Sequence, residues 1–188
     1  MLDDRARWNA KFLSGDAQSA EPDPFLIETC SGLSPGRALD LAGGAGRHAI
    51  WLALSGWDVT LTDISDEGLA IASRRATTAG VTITIRRESA AETLAWGTAS
   101  APRLTKPFEL VTVFWFLMRE HFAALPVLLS PGGLLLYKTL TAEHPRFAIG
   151  ESPQFALHRG ELQTAFPSLN TILYREANGI AELAARAE

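Results

Sequence analysis

Sulfur and surplus charge are what this sequence has least of. One cysteine, Cys30, stands among 188 residues. It can form no disulfide within the chain, so the fold needs no oxidising compartment. No histidine adjoins it in sequence, and it reads as buried filler rather than as a nucleophile. Basic charge is not in excess. Lys and Arg total 17 against 21 Asp and Glu, a formal net charge of −4 with the signs interspersed. A nucleic-acid binder needs a basic face, so that class is excluded. The four histidines are scattered without ligand spacing, and no metal is expected. The most apolar run, 110–118, is far short of the about 20 residues that span a bilayer, so no membrane partner is expected. The opening M-L-D-D-R-A-R-W is charged and lacks the apolar core of a secretory signal. The expectation is a cytoplasmic protein. At 47% hydrophobic content the chain can build one core, read as one domain over 1–188.

What is present is concentrated between Arg37 and Ser65: R-A-L-D-L-A-G-G-A-G-R-H-A-I-W-L-A-L-S-G-W-D-V-T-L-T-D-I-S. The pattern is a buried strand over 37–42, a glycine turn, a helix over 46–55 and a strand over 57–62 that leads into an acid. The rhythm continues. A helix over 66–79 is capped by Ser65 or Asp66 and stopped by Gly80. A strand is expected over 81–86, a short helix over 90–96, a loop over 97–107 and an apolar strand over 108–114. Next come a helix over 121–129, an S-P-G-G turn over 130–133 and a strand over 134–140. Residues 141–157 read as irregular and 159–166 as a short helix. Strands over 169–175 and 180–186 flank A-N-G, a hairpin signal. Upstream, short helices are expected over 3–13 and 25–33, joined by a loop over 14–24. This N-terminal segment, 1–33, precedes a core over 37–188. Strands alternating with helices imply an α/β fold: a Rossmann-like, doubly wound, mostly parallel sheet with an antiparallel hairpin at one edge.

In such a sheet, ligands bind beyond the carboxyl ends of the strands. The turn Ala42-Gly43-Gly44-Ala45-Gly46 lets backbone approach a ligand, and Asp63 follows about 20 residues on, suited to ribose hydroxyls. Two cofactors compete. Gly44-Ala45-Gly46-Arg47-His48-Ala49 matches the dinucleotide pattern G-x-G-x-x-A, which favours NAD and an oxidoreductase. Asp40 argues otherwise. A carboxylate there repels a pyrophosphate but attracts the ammonium of a methionine moiety, which favours S-adenosylmethionine. A third reading is a degenerate relative that kept the fold without catalysis.

The chain resembles the class I S-adenosylmethionine-dependent methyltransferases, and within them the small tellurite-resistance-type, thiopurine-methyltransferase-like group. L-D-L-A-G-G-A-G-R-H-A-I-W-L-A is similar to the family's first motif, G-W-D-V-T-L-T-D-I-S to its second. F-E-L-V-T-V-F-W-F-L with L-S-P-G-G-L-L-L-Y resembles the fourth and fifth strands. Q-F-A-L-H-R-G-E-L, followed by Y-R-E, resembles the approach to the final hairpin. The resemblance implies a seven-stranded methyltransferase fold that transfers a methyl group to a small-molecule acceptor. It implies that Asp40, Ala42, Gly43, Gly44 and Gly46 cradle the methionine and ribose part. Asp63 then holds the ribose, Ile64 and Ser65 lie against the adenine, and Glu88, Ser89 and Ala90 face its edge. Phe114 and Trp115 would lie below the methyl, and Trp8 and Phe12 would belong to a lid. His158 and Arg159 are the first choices for handling the acceptor, with Arg119 beside them. Trp115, His121, His144 and Arg146 complete the candidates. Ala42 stands where the family has glycine, which is tolerable if φ is negative there. Asp63→Ala is expected to weaken cofactor binding and leave the apo fold nearly unchanged.

Overall fold

The computed structural model describes residues 2–15, 19–97, 106–148 and 156–188. Parts of three expected loops therefore lie outside the described residues: 16–18 of the loop 14–24, 98–105 of the loop 97–107 and 149–155 of the stretch 141–157. Seven strands are formed: β1 Arg37–Leu41, β2 Asp58–Asp63, β3 Thr84–Arg87, β4 Phe108–Phe114, β5 Leu129–Leu140, β6 Asn170–Ala177 and β7 Ile180–Arg186. They make one mixed sheet in the order β3-β2-β1-β4-β5-β7-β6. The fold class read from the sequence is therefore the observed one. By contact density the chain divides into two compact units, Met1–Thr93 and Leu94–Glu188.

In the first unit β1, β2 and β3 run parallel, with Asp40 opposite Leu61 and Asp63 opposite Arg87. Ala38, Leu39, Asp40 and Leu41 are all buried, as a strand covered on both faces requires. Helices α3 (Arg47–Leu54) and α4 (Asp66–Ala79) follow β1 and β2. α4 begins as the sequence indicates. The Ser65 hydroxyl accepts the Gly68 N–H at 3.0 Å, and Asp66 and Glu67 complement the helix dipole. Gly80, at φ 68°, ends it. The helix α2 spans Pro24–Cys30, not 25–33, because Asp23 caps its start and the Ser31 N–H closes its last turn. Strand β3 is shorter and later than the expected 81–86, beginning at Thr84.

Helix α1 (Leu2–Ser14) docks on α4. The Asn9 side-chain oxygen accepts the Ser65 hydroxyl at 2.6 Å and the Glu67 N–H at 3.3 Å. Arg5 Nε donates to Asp66 Oδ2 at 2.7 Å. Phe12 is buried with Ala45 and Ile71, and Trp8 packs on this cluster. Two glycines make room for the Phe12 ring. A Cβ on Gly68 would lie 2.7 Å from Phe12 Cε2, and one on Gly44 2.7 Å from Phe12 Cζ. Gly68 sits inside a helix, where glycine costs about 1 kcal/mol against alanine. Space, not backbone conformation, is what this glycine provides.

In the second unit β4 and β5 are parallel, and β5, β7 and β6 are antiparallel in turn. The hairpin turns at Asn178 and Gly179, both left-handed, as A-N-G implies. Two expectations are corrected. Residues 121–129 are not one helix but two 3-10 pieces, Arg119–Ala124 and Pro126–Leu128, because Pro126 has no N–H to continue the ladder. S-P-G-G is not a separate turn but an irregularity inside β5. Phe108 pairs with Leu129 and Leu110 with Leu134. The Gly132 N–H donates to Ala187 O at 3.1 Å, and the Ala187 N–H to Gly133 O at 2.9 Å. The expected helix 159–166 shrinks to Glu161–Thr164. Under β5, Tyr137, Phe122 and Phe166 stack with centroids 5.2–5.9 Å apart.

The glycine slot can be tested. With Phe12 present, Gly68→Ala is expected to destabilise the protein. In a Phe12→Ala background the same change is expected to stabilise by up to about 1 kcal/mol, the helix-propensity gain alone. Urea unfolding of the four proteins checks this, and equal effects in both backgrounds would rule out the slot.

Candidate active site

The turn after β1 is built from left-handed backbone. Ala42, Gly44 and Gly46 have φ of 55°, 55° and 73°. A Cβ on Gly43 would fall 2.3 Å from Asp40 Oδ2, so glycine is what lets that carboxylate tuck under the turn. Asp40 itself is 1% exposed. A buried carboxylate calls for donors or a cation near it. The turn is held by its own bonds, Gly43 N–H to Thr62 O at 3.2 Å and Gly46 N–H to Gly43 O at 3.0 Å.

Asp63 ends β2 and ties two backbones together. Its Oδ2 accepts the Gly44 N–H at 2.9 Å, and its Oδ1 the Ser65 N–H at 2.8 Å. Burial raises its carboxyl above the ordinary value, against the lowering by the Ser65, Gly44 and Ile64 amides. Ile64 is half-buried beside it. Ser65 is fully buried, and its hydroxyl is occupied by Gly68 and Asn9. The Glu88 N–H bonds Asp63 O at 3.1 Å, which continues the parallel ladder. The Ser89 hydroxyl is paired with Glu92 at 2.8 Å, and Ser89 accepts the Glu92 N–H at 3.2 Å. This is a capping box, visible in S-A-A-E but not read there. Ala90 is buried and starts helix α5, Ala90–Leu94. Cys30 is buried and its thiol is pushed up to about 12, as filler rather than a nucleophile requires.

In the second unit Phe114 is buried at the end of β4. Trp115 follows in left-handed backbone, φ 60°, a costly conformation for so bulky a residue. Its N–H donates to Lys138 O at 2.7 Å, and the Lys138 ammonium lies 5.2 Å from its ring centroid. Lys138 is also 2.8 Å from Glu182. His158 and Arg159 are exposed neighbours on one turn, with Arg159 only 3.8 Å from Glu143. Arg119 is not open in the same way. Its Nε and Nη2 fork onto Glu161 at 2.5 and 2.8 Å. That guanidinium holds the Glu161 carboxyl below its ordinary value. His144 lies under the hairpin, where a Cβ on Gly179 would strike its backbone, and Arg146 sits over Phe147. His121 lies in the 3-10 piece after β4.

A family model described as "Methyltransferase domain" matches residues 38–133. The chain belongs to that family. Its structure is similar to that of TehB from Haemophilus influenzae, with TM-score 0.74 and 18% identity, covering 95% of this chain and 66% of that one. This chain thus spans about two thirds of the length of that relative. It is also similar to an S-adenosylmethionine-dependent methyltransferase from Clostridium acetobutylicum (TM-score 0.69, 14% identity, 99% and 98% covered). A third similar structure is the N-methyltransferase NodS from Bradyrhizobium japonicum (TM-score 0.65, 17% identity, 87% and 92% covered). No curated protein matches the chain in sequence at a significant level. A methyltransferase domain, rather than an NAD-binding oxidoreductase, is therefore what the chain carries. Among the described residues, no helix is long and apolar enough to cross a membrane.

The residues of the first unit fit S-adenosylmethionine: a carboxylate sealed beneath a glycine turn, with Gly43 packed directly over it, and a second carboxylate at the end of β2. Two features were not read from the sequence. Asn9 supports α4 from a distant helix, and no local signal marks it. Ala42 was expected to tolerate its methyl through a negative φ, but its φ is positive. Alanine pays about 1–2 kcal/mol for left-handed backbone, while glycine loses about 0.5–1 kcal/mol more chain entropy on folding. Ala42→Gly is therefore expected to stabilise the apo protein by about 0.5–1 kcal/mol, measured by denaturant unfolding.

The bonds of Asp63 also revise an expectation. Asp63→Ala leaves the Gly44 and Ser65 N–H groups without their acceptor, at about 1–3 kcal/mol for a buried group. The apo protein should lose about 2 kcal/mol, so thermal unfolding should not be silent.

Proposed function

We propose that this methyltransferase acts on a small-molecule acceptor, with cofactor held by the first unit and acceptor handled by His158 and Arg159 of the second. The observation that carries the cofactor half is the Asp63 carboxylate joined to the Gly44 backbone at 2.9 Å, beside a turn that shelters Asp40. Asp40 would pair with the ammonium of the methionine moiety. Asp63, whose oxygens each keep a lone pair, would accept the ribose hydroxyls. Ala42, Gly43, Gly44 and Gly46 would let backbone close on the ligand, with Ile64, Ser65, Glu88, Ser89 and Ala90 around the adenine. Trp8 and Phe114 complete the proposed cofactor contacts.

When bound, the cofactor supplies a sulfonium methyl that an acceptor takes by in-line displacement. The chain's own task is to bind, orient and desolvate. His158 would take a proton from a thiol, hydroxyl or amine, and Arg159 would steer an anionic acceptor. The net charge of −4 disfavours a nucleic-acid acceptor. The lone buried thiol fits a cytoplasmic setting. Resemblance to the tellurite-resistance-type group suggests selenium and tellurium compounds beside thiols.

Labelled S-adenosylmethionine offered with thiol, selenium, tellurium, hydroxyl and amine acceptors tests this. A labelled small product is expected, and label found only in protein or RNA would reject the acceptor class. The raised Asp63 carboxyl adds a pH signature. Raising a folded-state acid favours the protonated form, so its contribution to apo stability is present at low pH and is lost as pH rises through the folded value. Cofactor binding runs the other way, since the ribose hydroxyls donate to the ionised form. Calorimetry should show S-adenosylmethionine affinity falling as pH drops through that range, and Asp63→Asn should flatten the profile.

A further inference from the structure

The turn that carries His158 and Arg159 has its backbone fixed at almost every residue. Leu157 N–H donates to Leu140 O at 2.9 Å, and Leu157 O accepts the Ala142 N–H at 2.8 Å. The Ala156 carbonyl accepts Arg119 Nη2 at 2.5 Å. The His158 N–H donates to Glu161 Oε2 at 2.7 Å. The Gly160 N–H donates to Glu176 Oε2 at 2.9 Å, and the Tyr174 hydroxyl donates to the same oxygen. Gly160 lies at φ 72°, where glycine alone is unstrained.

Two carboxylates thus grip consecutive stretches of one turn. Glu161 is itself locked by the fork of Arg119, and Glu176 is locked by Tyr174. The side chains of His158 and Arg159 use none of these bonds and remain exposed. A merely structural turn has no reason to spend two carboxylates and a guanidinium on backbone that presents two solvated side chains. Such support is what a site needs when small misplacements cost rate.

We propose that Arg119, Glu161 and Glu176 are positioning residues that hold turn 156–161 in one conformation and so present His158 and Arg159 to the methyl acceptor. This rests on the acceptor role proposed for that pair, and it reassigns Arg119 from acceptor contact to support. Glu176, with Tyr174 behind it, acts only through the Gly160 amide.

Amide exchange by NMR, joined to turnover with thiophenol and labelled S-adenosylmethionine, tests it on the full chain. In Glu176→Ala the Gly160 amide should exchange at least about tenfold faster while the His158 amide keeps its protection. Glu161→Ala should release the His158 amide instead. Glu176→Gln, which keeps an acceptor oxygen, should restore Gly160 protection. Turnover in Glu176→Ala should fall about tenfold in kcat, with the KM for S-adenosylmethionine unchanged. Unchanged Gly160 exchange in Glu176→Ala overturns the proposal. So does lost turnover with Gly160 still protected, because Glu176 would then act on the acceptor directly. If thiophenol is not methylated, the exchange results decide alone. If His158→Ala and Arg159→Ala leave thiophenol turnover intact, the acceptor role falls while the exchange results still judge the support.

Discussion

One carboxylate organises the first unit. Asp63 takes the Gly44 N–H on one oxygen and the Ser65 N–H on the other. The first bond fixes the turn after β1, and the second fixes the entry to α4. Both segments must be in place before Phe12 can lie between Gly44 and Gly68, and before Asn9 can reach the cap of α4. In the proposed function the same acid also receives the ribose. Structure and the proposed ligand binding would then draw on one group, whose proton affinity burial raises.

Much of this was legible in the chain. Near-continuous apolar runs over β1, β4 and β5 mark strands covered on both faces, and the A-N-G hairpin and the Ser65 and Gly80 caps follow from local chemistry. The errors came where distant partners outweigh local preference. S-P-G-G looks like a turn, but the chain end after β7 bonds its glycines into strand geometry. Ala42 looks tolerable only until the turn's handedness is known. Asn9 carries no sequence signal, because it acts across a large sequence separation on one helix cap, and the motif that contains Glu176 does not reveal the Gly160 amide as its partner.

The two units distribute constraint differently. In the first, backbone conformation does the selecting: three left-handed residues within five positions leave little choice of side chain. In the second, side chains constrain backbone, and the pair at 158–159 is the exposed remainder. In the proposed function acceptor choice would lie with this turn, because loops vary where the fold does not fix function. The strained Trp115, set against the Lys138 ammonium, belongs to the same pattern of local cost tolerated where chemistry is expected.

The solitary sulfhydryl has a practical corollary. Cys30 is sealed in the core, and its proton is held far above neutrality. It carries almost no thiolate at pH 7, the form that maleimides and iodoacetamides attack. Without removing any native residue, one new surface cysteine would be the sole point of attachment for a fluorophore or spin label. Motion of α1 or of the 156–161 turn could then be followed in an otherwise unaltered protein.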